Sequence, residues 1–162
     1  MTNQTHKITV RRYVKVPRET VFGAFTTAEA LTQWFSPSPD ISVEVLTFQF
    51  EVGHQYRFRY TMQDGSNPVL GGVYDLISEP DELAFTWVWE APDAHANIPT
   101  RVHIQFLSNG VGTEIVLTHE QLPSEDAGKR HAEGWEGTLD NLERAIREGQ
   151  FPLAIGSKRG AV

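Results

Sequence analysis

Two histidines and four indole or phenol side chains carry most of the chemistry available to this chain. His119 lies in phase with Leu117 in an alternating run, and His131 leads a stretch of helical period, so the pattern turns both inward. An inward imidazole offers polar contacts or proton transfer near neutral pH, although a structural role is the commoner one. Tyr60, Trp87, Trp89 and Trp135 place four polar tips on large apolar rings, and each tip needs a partner when buried. Apolar walls with few polar tips are what small-molecule pockets use, whereas aromatic content alone more often means packing.

Other chemistries lack their residues. No H-x-x-x-H or H-E-x-x-H spacing exists for zinc, so no metal is expected. His54 falls at a turn, His6 and His95 in loops, and His103 on an outward phase. No Gly-rich phosphate loop, nucleophile elbow or Ser/His/Asp ordering occurs, so neither a cofactor nor a catalytic residue is assigned.

Period sets the elements that must position these groups. From Lys7 to Val16 apolar and basic residues alternate, with an apparent slip at Arg11-Arg12 that suggests a bulge. Short helices follow over Pro17–Phe25 and Ala28–Phe35. Six runs of period two come next: Val43–Phe50, Gln55–Met62, Val69–Ser78, Leu83–Glu90, Thr100–Leu107 and Thr113–Gln121. Their succession predicts an antiparallel meander. Ser124 then caps a helix running to Glu148, with His131, Trp135, Leu139, Leu142 and Ile146 on one stripe.

The opposite face of that helix carries Glu133, Glu136, Asp140 and Glu143, expected to meet water and to form i,i+4 pairs Lys129/Glu133, Asp140/Arg144 and Glu143/Arg147. Gly134 and Gly137 each cost about 1 kcal/mol against alanine in a helix interior, which calls for a close approach or for tolerance of a bend. An antiparallel sheet with one apolar face must be covered, and only this helix is long enough. The reading is α+β, one domain over 1–150 with a tail at 151–162.

Composition narrows the class. At 162 residues one core suffices, and the lack of cysteine excludes disulfides and thiolate chemistry. A net charge of −7 argues against nucleic acid, whose phosphates need Lys and Arg. No apolar run approaches the roughly 20 residues of a membrane span, and the N-terminal residues lack a signal-peptide pattern, so a cytoplasmic protein is expected. The one basic cluster, Lys7, Arg11, Arg12, Lys15 and Arg18, sits on and after the first strand, whose exposed edge leaves monomer and homodimer both open.

Four ordered segments resemble a known family. They are Val16-Pro-Arg-Glu-Thr-Val-Phe-Gly-Ala-Phe-Thr with Leu31-Thr-Gln-Trp-Phe-Ser-Pro; Val45-Leu-Thr-Phe-Gln-Phe-Glu-Val-Gly-His-Gln-Tyr-Arg-Phe; Gly72-Val-Tyr-Asp-Leu-Ile-Ser-Glu-Pro-Asp-Glu-Leu-Ala-Phe-Thr-Trp; and Gly112-Thr-Glu-Ile-Val-Leu-Thr-His with His131-Ala-Glu-Gly-Trp. Together they resemble the START-like, birch-pollen-allergen superfamily (SRPBCC), and within it homologues of the activator of heat-shock protein 90 ATPase. Two positions depart from the family's habit: Gln49, often Asp, and His54, often the second glycine of a pair.

The resemblance implies a helix-grip fold: a curved antiparallel sheet of about seven strands wrapped around the C-terminal helix, with two short helices after the first strand and a cavity between sheet and helix. It also implies that Trp34, Tyr60, Tyr74, Trp87 and Trp135 line that cavity, with His119 as a polar contact and Tyr74 re-aimed by a bulge at Gly71-Gly72. Phe58, Phe85, Trp89, Ile104, His131 and Leu139, all inward by phase, complete the candidate ligand-binding set. The leading expectation is non-enzymatic binding of a hydrophobic or amphipathic small molecule: a lipid, polyketide or aromatic. Two others stay open, a chaperone partner whose heat-shock ATPase is stimulated, and an enzyme using His119 or a tyrosine as acid or base.

Overall fold

The computed structural model describes residues 5–149, so the expected tail at 151–162 lies outside the described residues. Seven strands form one antiparallel sheet: β1 (His6–Val14), β2 (Ser42–Phe48), β3 (Gln55–Thr61), β4 (Val69–Ser78), β5 (Glu82–Trp89), β6 (Thr100–Asn109) and β7 (Gly112–Leu122). Their order is β1-β7-β6-β5-β4-β3-β2, a meander from β2 to β7 closed off by β1. Helices α1 (Arg18–Gly23) and α2 (Ala28–Trp34) fill the connection between β1 and β2, and α3 (Glu125–Glu148) packs on β1, β7 and α2. The sheet curves around α3 as expected.

Local chemistry explains the ends of α3. The Ser124 hydroxyl accepts from the Ala127 amide at 3.0 Å, Glu125 and Asp126 occupy the first turn, and Gly149 closes the helix at φ 65°. Trp135, Leu139 and Leu142 are fully buried and Ile146 partly so, which is the stripe read from the sequence. The two glycines separate. A Cβ on Gly137 would collide with the Pro37 carbonyl oxygen, whereas one on Gly134 would meet nothing within 4 Å. Close backbone approach therefore accounts for one, and the other borders open space.

Three local expectations are corrected. β1 holds its register from Ile8 to Val14, and the irregularity lies between His6 and Ile8 instead of at Arg11-Arg12. What resembled a slip is a charged residue on the inner face. The Arg12 side chain, 17% exposed, reaches α3 and donates at 2.9 Å to each of Glu136, Asp140 and Glu143. Burial opposes its charge, yet the three carboxylate bonds outweigh that and hold it above the ordinary arginine value. That acidic face thus meets β1 as well as water, and Arg12 takes the carboxylates assigned to Arg144 and Arg147. Asp126 and Arg130 form an i,i+4 ion pair on α3, at 3.9 Å. In β4 the pairing shifts between Tyr74 and Leu76, after Tyr74 and not at Gly71-Gly72. Gly72 instead permits close packing, because a Cβ there would strike the Thr86 carbonyl.

Candidate functional site: an aromatic cavity between sheet and helix

Strand alternation aims Tyr60, Trp87 and Trp89 at α3, and the helical stripe returns His131 and Trp135 toward them. Between these surfaces lies an open cavity of about 230 Å³. Its walls are rings at varied tilt: Trp87 and Trp135 centroids are 4.9 Å apart, Trp87 and Trp89 5.8 Å at 88°, and Tyr60 and Trp89 5.9 Å. Phe35 and Pro37 from the segment after α2, Met62 beyond β3, and Gly134 and Thr138 on α3 complete the apolar wall. Asp93, His95 and Arg130 supply its charged and polar edge.

The polar tips of Trp135 and Trp89 are met in order. Trp135 Nε1–H donates to His119 Nδ1 at 3.0 Å, which leaves the His119 proton on Nε2 to donate to Thr100 Oγ1 at 2.8 Å. The Thr100 hydroxyl passes the chain to the Trp87 carbonyl at 2.7 Å. Trp89 Nε1–H donates to His131 Nε2 at 3.2 Å, and His131 Nδ1–H to the Ala127 carbonyl at 2.8 Å. Two polar atoms on the lining are left over. Trp87 Nε1–H and His95 Nε2 are buried without a partner among the described residues.

Electrostatics follow from this arrangement. Burial, reinforced by His131 at a ring separation of 4.9 Å, pushes His119 down to about 3. Burial also lowers His131; the Ala127 carbonyl and Asp93 oppose that, while His95 and Arg130 add to it. Both rings are neutral at pH 7. Burial drives the Tyr60 and Tyr74 phenols far above their usual value, so they stay protonated. The lone pair of each neutral ring already accepts an indole N–H, from Trp135 at His119 and from Trp89 at His131.

Of the residues expected in the site, Tyr60, Trp87, Trp89, His131 and Trp135 border the cavity. The others do not. Trp34 is buried among Phe25 and Phe35 with its Nε1–H on the Ala24 carbonyl at 3.0 Å. Phe58, Tyr74 and Phe85 surround a separate void of about 10 Å³, too small for a ligand. Ile104 and Leu139 are core, and His119 stands behind Trp135 with both nitrogens engaged. The sequence reading missed Phe35, Pro37, Met62, Asp93, His95, Arg130, Gly134 and Thr138 as lining. Gly134 and Arg130 were legible from their position, each one residue before Trp135 and His131 and four apart on α3; Asp93 and His95 ride a loop whose path no period sets.

A seven-stranded antiparallel sheet gripping a long C-terminal helix, with a cavity between them, defines the START-like class of helix-grip proteins. The chain belongs to the Activator of Hsp90 ATPase homolog 1-like protein family, whose model matches residues 15–147. Solved structures agree in fold. A protein from Chromobacterium violaceum is 22% identical with a TM-score of 0.78, covering 86% of this chain and 96% of its own. The AHSA1 protein from Silicibacter pomeroyi is 19% identical at 0.78, covering 89% and 99%, and an AHSA1-like protein from Aeromonas hydrophila 20% at 0.73, covering 90% and 94%. Among curated proteins no match is found. Among the described residues no helix is long and apolar enough to cross a membrane.

Proposed function

We propose that the protein binds a hydrophobic or amphipathic small molecule, non-covalently, in the cavity between sheet and α3. The observation that carries this is the open space of about 230 Å³ bounded by Tyr60, Trp87, Trp89 and Trp135, where a packed core would close. Drug-sized pockets span roughly 300–1,000 Å³, so the fitting ligand is small, of one or two rings or a short acyl chain. Family membership supports a binding fold, while the co-chaperone reading draws only on the family's description. Catalysis through His119 is disfavoured, because its lone pair already accepts the Trp135 indole.

Three of the four tryptophans border the cavity, which makes intrinsic fluorescence a direct probe. Titration with one- and two-ring aromatics and short acyl chains should shift or quench the emission and raise the melting temperature together. A panel of such compounds at millimolar concentration that moves neither signal would remove the proposal.

A further inference from the structure

Resting on that reading, we infer that the cavity selects an aromatic acid, a one- or two-ring carboxylate whose ring lies among the tryptophans and whose carboxylate meets Arg130. The lining holds one guanidinium, and its ion pair among the described residues is a 3.9 Å contact with Asp126, the two side chains being 58% and 74% exposed. Exposed pairs of this kind contribute little, so Arg130 is available for a fork-shaped bond to a carboxylate.

The indole donors point the same way. Trp89 and Trp135 have histidine acceptors, but Trp87, 8% exposed, has a buried N–H with none among the described residues. A ligand acceptor beside Trp87 would remove the cost of an unmet buried donor. Aromatic boxes also take quaternary ammonium ions. An ammonium of that type has no acceptor for Trp87 and would lie against Arg130. Asp93, the one carboxylate of the lining, accepts the His95 amide at 2.8 Å through one oxygen and keeps its charge, and Arg130 is the one cation of the lining, so a preference for the acid measures Arg130 against Asp93.

Isothermal titration with 2-naphthoate, 2-naphthylmethanol and 2-naphthylmethylammonium at neutral pH separates the cases. The acid should bind about tenfold more tightly than the alcohol, as expected of one charged hydrogen bond at a wet mouth, with the ammonium weakest. Arg130→Gln should abolish the preference for the acid, and salt should weaken the acid but not the alcohol. Trp87→Phe, which keeps a ring, should weaken acid and alcohol alike. If the alcohol or the ammonium matches the acid, or the preference survives Arg130→Gln, the acid assignment falls while cavity binding stands. If none of the three binds, the acid assignment falls, and the panel of one-ring aromatics and short acyl chains decides whether cavity binding falls with it.

Discussion

His119 shows how a residue can have the right type and phase for chemistry and be used for structure. Its two nitrogens join Trp135 to Thr100, and through Thr100 to the backbone of β5, so it fastens α3 to the sheet behind the cavity. This bond pattern requires the neutral ring. The folded protein holds His119 near 3 against 6.5 in an unfolded chain, so between those values the unfolded state binds the extra proton. Stability is complete above pH 6.5 and drains as pH falls toward 3, by up to about 1.4 kcal/mol per pH unit, with lowered His131 adding in the same sense. His119→Asn keeps an acceptor for Trp135 and loses the titration. Urea unfolding across pH 4 to 7 should therefore give a variant less stable at pH 7 but with a flatter pH profile. Inward phase was readable at this position; which partner would consume the lone pair was not, since Trp135 lies on another element.

At the scale of elements, α3 carries its own paired experiment. Gly134 and Gly137 look alike in sequence, and both tax the helix by about 1 kcal/mol relative to alanine. Gly134→Ala should raise stability by about 0.5–1 kcal/mol while adding a methyl group at the cavity border. Gly137→Ala should lower it by about 1–3 kcal/mol, because the Pro37 backbone, which Asn141 also tethers through the Ser36 carbonyl at 2.8 Å, has nowhere to go. Denaturation midpoints at unchanged slope decide both. The contrast explains what the sequence left undecided. Caps, stripe and length of α3 are local and legible, as are six strands in order, whereas the segment 35–39 acquires its place from contacts with α3 and, through Phe35, with Phe58 and Trp87 of the sheet. For the same reason Phe35 and Pro37 escaped the expected lining, and Phe58 and Phe85, inward by the same alternation as Tyr60 and Trp87, proved to be packing. Alternation gives a face of the sheet; it does not say where along that face the helix stands off.

For the molecule as a whole, the contact between β1 and α3 ties the first described strand to the last helix. Arg12→Met should cost about 1–2 kcal/mol, less than for a fully buried pair because the three carboxylates reach water. Left together, they repel, so salt should narrow the gap between variant and wild type in thermal melts. Hydrogen exchange should quicken in β1 and in the second half of α3. Charge alternation concealed this link, since Arg12 reads as one more basic surface residue until the strand's true phase places it beside Val10 and Val14. β1 is also one of two free edges of the sheet, where a strand pairs most readily in the wrong alignment. Shifted by the one residue that puts Tyr13 in the place of Arg12, it would turn a phenol toward the helix and leave the Arg12 guanidinium on the solvent side of the sheet. Three carboxylates would then wait unmatched. Arg12 thus acts as a checksum on strand alignment, since the correctly threaded chain is the one that sets a guanidinium among those three carboxylates.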